Sequence, residues 1–163
     1  MFVEFNKLPG NARIWIYQSK RELAKKEAEG VKLKLRKFAD NWLRHGEQIK
    51  GSFHILYNQF IVLGVDENFN NVSGCSIDSS VRVIKALEDE FDLDLMNKLN
   101  IAFKVGENLN TVTLAEFQEY LKLEKVNEDT IVFNNMIQSK DELVSNWEVP
   151  VKQSWHKQLL AII

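Results

Sequence analysis

The chain has 163 residues, 45% of them hydrophobic and 27% charged, and a formal net charge of −2. That length suits a single domain able to bury a core without disulfides or metals. The composition excludes disordered, collagen-like and fibrous classes, and apolar runs as short as Ile61–Leu63 cannot span a membrane. No basic-then-apolar leader is read at Met1–Leu8, and the one cysteine, Cys75, fits a reducing compartment, so a cytoplasmic location is expected. The near-neutral total hides an asymmetry. Residues 1–65 hold 12 Lys/Arg against 6 Asp/Glu, whereas residues 66–163 hold 9 against 17. Such a split is a composition-level hint of a partner surface.

Alternation of Ile14 and Ile16 with Arg13, Trp15 and Tyr17 predicts a strand over Ala12–Gln18. Ser19, with Glu22 three residues on, has the capping-box pattern and opens a helix to about Arg44. Its stripe is Ala24, Ala28, Val31, Leu35, Phe38 and Trp42, and Gly46 is read as its stop. Ser52–Asn58 and Gln59–Asp66 form a hairpin about Tyr57-Asn58-Gln59, and a polar loop follows. Ile77, Val81, Ile84, Leu87 and Phe91 mark a second helix, and Ile101–Val105 a strand. The order β-α-β-β-α-β is that of a ferredoxin-like core, an antiparallel sheet with two helices on one face.

Beyond it, Thr113 with Glu116 opens a third helix, and Thr130–Phe133 is a strand expected at a sheet edge. Ser139–Trp147 reads as a short helix ended by Pro150, and Ser154–Ile163 as a terminal helix. Trp147 and Trp155, close to the C-terminus, are candidates to line a pocket or a dimer interface. The expected fold is therefore one α+β domain over 1–163, with a ferredoxin-like βαββαβ core at about 12–105 and a C-terminal α/β extension at about 106–163.

The stretch richest in chemistry is Val72-Ser73-Gly74-Cys75-Ser76-Ile77-Asp78-Ser79-Ser80, where a loop enters a helix. A helix N-terminus presents unpaired N–H groups and a positive partial charge to anions. Gly74 lets a ligand approach the backbone, and Ser76, Ser79 and Ser80 offer donors, so Gly74, Cys75, Ser76, Asp78, Ser79 and Ser80 are the candidate ligand-binding residues. The competing account is plain capping by Ser76 or Asp78. A cysteine at a helix N-terminus is also an activated nucleophile, for which His45 or His54 would be the base. Arg82 lies seven positions from Cys75, one too many for a phosphatase loop. Three scattered His and one Cys match no metal spacing, so neither a metal nor a cofactor is expected. The nine Lys/Arg between Lys20 and Arg44 read as a solvated face, and the low pI of about 6.0 speaks against nucleic acid as a partner.

The strings Ala12–Gln18, Trp42-Leu43-Arg44-His45-Gly46 and above all Ser73–Ser80, an SGCSIDSS motif, resemble a family of small bacterial proteins often labelled "ABC transporter ATPase". The resemblance covers most of the chain and implies no catalytic residues. The label itself would require G-x-x-x-x-G-K-[ST] to cradle the phosphates, and no Gly-Lys dipeptide occurs. The expectation is a non-enzymatic binding or interaction module for an anionic small molecule or a protein partner, with a homodimer allowed. The alternative is a hydrolase or transferase using Cys75.

Overall fold

The computed structural model describes residues 1–162. It is a mixed α+β structure whose chain divides into two compact units, Met1–Met96 with Gln138–Asp141, and Asn97–Ile137 with Glu142–Ile163. No helix among the described residues is long and apolar enough to cross a membrane.

The first unit runs β1 (Arg13–Gln18), α1 (Lys25–Asp40), β2 (Leu43–Arg44), β3 (Glu47–Gln48), β4 (Gly51–Leu56), β5 (Phe60–Val65) and α2 (Gly74–Phe91). Its sheet has the antiparallel order β1-β5-β4. The turn between β4 and β5 is where its residues predict it, with Tyr57 and Asn58 both left-handed at φ 55° and 49°. Central β5 is buried along its whole length. Ile61 and Leu63 face a core shared with Val31 and Leu35 of α1 and Ile84 and Leu87 of α2. On the opposite face Leu8 and Phe5 lie against Gly64, so a segment before β1 covers the side that the helices leave open.

Several boundaries differ from expectation for physical reasons. Ser19 does not cap α1; its Oγ accepts from Arg21 N at 3.2 Å in a local turn. The helix starts at Lys25, where the Glu27 carboxylate accepts from Ala24 N at 2.8 Å and pairs bidentately with Arg21 at 2.8 and 2.7 Å. Arg21 holds the Glu27 carboxyl down to about 2. The helix ends at Asp40, and Gly46 is no helix stop. His45 (φ 49°) and Gly46 (φ 82°) form the two-residue turn of the β2–β3 hairpin, whose left-handed pair matches strand twist.

The strand at 100–105 does not complete this sheet. It belongs to the second unit, so the core expected over 12–105 ends at Met96. The free side of β1 is met instead by residues 138–140: Ile14 N donates to Gln138 O at 3.0 Å, Lys140 N to Ala12 O at 2.9 Å, and Ser139 forms an antiparallel bridge with Arg13. Of the charge asymmetry, part is met within the unit. Lys34 pairs with Glu90 and Lys20 with Asp92, and Arg21 donates to Phe91 O at 2.7 Å.

The second unit contains β6 (Asn100–Val105), β7 (Asn108–Thr113), α3 (Leu114–Lys122), β8 (Ile131–Phe133), α4 (Glu142–Ser145) and β9 (Glu148–Pro150), with sheet order β7-β6-β8-β9. Strand β8 is thus internal, not at an edge, and Pro150 sits on edge strand β9, where a missing N–H is tolerated. Thr113 and Glu116 cap α3 reciprocally, as their spacing predicts. The C-terminal segment Trp155–Ile162 is 3-10 helix, and Ile163 lies outside the described residues.

Trp147 is buried, with Nε1 donating to Asn135 Oδ1 at 2.9 Å, and half-buried Trp155 stacks on His156 with ring centres 3.9 Å apart. Core packing accounts for Trp147, so the pocket or dimer interface expected of it is corrected. His156 is itself buried beside Phe117, and its Nδ1 is 2.6 Å from Ser154 Oγ.

A Cβ at Gly51 would stand 2.7 Å from Trp42 Cε3, inside a ring only 1% exposed. Gly51→Ala is expected to cost about 1–3 kcal/mol through overpacking, read from the midpoint of urea unfolding. Burial pushes His156 from its usual 6.5 down to about 4. The unfolded chain takes up this proton first, so the stability from the neutral ring is complete above pH 6.5. It is lost as pH falls towards 4 and is on the order of 3 kcal/mol. His156→Gln should flatten this part of the pH–stability curve; an unchanged slope between pH 6.5 and 4.5 would contradict it.

Candidate functional site

The Ser73–Ser80 string does form a loop-to-helix junction, but its hydroxyls are engaged within the protein. Ser73, at φ −109° and ψ 174°, is the N-cap of α2, so neither Ser76 nor Asp78 fills that role. Ser73 Oγ accepts from Ser76 N at 3.2 Å, and Ser76 Oγ accepts from Ser73 N at 3.2 Å. The two hydroxyls are 2.9 Å apart. Since Ser76 Oγ gives its proton to Leu43 O at 2.8 Å, Ser73 donates between them. Ser79 Oγ donates to Ser76 O at 2.8 Å and Ser80 Oγ to Ile77 O at 2.6 Å, both back-bonds within the helix. Ser76 and Ser80 are 1% exposed.

What remains open are main-chain groups. The N–H groups of Gly74 and Cys75 have no acceptor among the described residues, and a Cβ at Gly74 would meet nothing within 4 Å. Asp78 is exposed in the second turn of the helix, where its carboxylate repels an anion. Cys75 is exposed.

The structure does not join Cys75 to an imidazole: neither His45 nor His54 makes a hydrogen bond to it. His45 occupies the exposed β2–β3 turn. His54 lies on β4, stacked on Phe5 at 5.1 Å between ring centres, with its pKa lowered by burial and then by Lys32. Among the described residues no three His, Cys, Asp or Glu side chains stand close enough to hold a metal ion.

Sequence reasoning missed Arg44. Strand β2 packs on the first turn of α2 through the Ser76–Leu43 bond, and Trp42 Nε1 reinforces the contact by donating to Ser76 O at 2.9 Å. On that strand the Arg44 Nε is shielded from solvent and has no hydrogen-bond partner. The family-like string Trp42–Gly46 contained this residue, but only the fold shows its Nε buried without a partner. No protein family, curated protein or solved structure matches the chain.

With no base bonded to the sulfur, native Cys75 is expected to react with iodoacetamide no faster than in a urea-unfolded control. A native rate tenfold above the control, a difference of about 1.4 kcal/mol in barrier, would revive the nucleophile.

Proposed function

We propose that the first unit is a non-enzymatic binding module that holds an anionic group at the N-terminal turn of α2. The observation that carries this reading is Arg44, a guanidinium whose Nε is buried without a partner on the strand packed against that turn. A buried donor left unsatisfied costs roughly 1–3 kcal/mol, a cost that an anionic ligand relieves. The second support is the pair of free N–H groups at Gly74 and Cys75, at the positive end of an 18-residue helix. The serine hydroxyls shape this turn and leave the ligand to Arg44 and the main chain.

The same unit supports a ferredoxin-like reading in reduced form. Its β1-β5-β4 order is three quarters of such a sheet, and the Arg13–Ser139 bridge lies on the side of β1 where a fourth strand would add.

Inorganic phosphate titrated into the full chain is expected to shift the amide resonances of Gly74 and Cys75. Arg44→Gln should weaken that binding about tenfold, the loss of one charge-assisted hydrogen bond. Phosphate that leaves both amides unmoved, or binds Arg44→Gln equally well, would overturn the reading.

A further inference from the structure

We draw no further inference here: the strongest candidate, the solvent-facing side of α1 on which Leu33 stands exposed beside Lys26 and Lys37, is an unpartnered helix face, and nothing in the structure shows what covers it.

Discussion

The first unit turns on one buried polar group, the indole N–H of Trp42. An indole this deep must donate a hydrogen bond or forfeit its desolvation cost. Its acceptor is Ser76 O in the first turn of α2. To reach it the chain must leave α1 at Asp40 and run out as β2, which brings Leu43 O to the Ser76 hydroxyl. Ring packing fixes the rest. Phe38 and Trp15 lie 4.8 and 6.1 Å from the Trp42 ring, and Gly51 passes where no side chain fits. The end of one helix, the start of another, a hairpin and the sheet are thus held by one side chain.

The parts of the fold legible in the residues were those whose signal is local. The β4–β5 turn, the Ile84 and Leu87 part of the α2 stripe and the Thr113–Glu116 cap depend on neighbours within a few positions. Strand β7 was illegible because Asn-Leu-Asn-Thr-Val-Thr is mostly polar, with weak alternation and with Asn108 and Asn110 exposed. The partner of Ile101–Val105 was misjudged for another reason: a short apolar strand carries no label of the sheet it joins. Its choice of β8 over β1 depends on residues some thirty positions further on.

The candidate site divides along the same line. A loop-to-helix junction at Ser73–Ser80 could be read directly, although its cap is Ser73 and not Ser76 or Asp78. What the hydroxyls do could not be read, because Leu43 O, the acceptor that occupies Ser76, lies 33 positions away. Four serines near a helix start suggest open donors until each is given its acceptor. Arg44 escaped notice because its importance rests on a missing partner, which only packing reveals.

The return of residues 138–141 to the first unit bears on how the protein is made. Lys140 Nζ reaches Asn6 O at 3.2 Å, and Asp141 N donates to Gly10 O at 2.9 Å, closing loops of more than 130 residues. During synthesis the outer edge of β1 must wait, unpaired, until most of the chain has left the ribosome. Contacts of such sequence separation form late and slow the final step. The two units are consequently not beads on a string: a cut at residue 96 would strand one edge of the first sheet, and no single cut releases both intact.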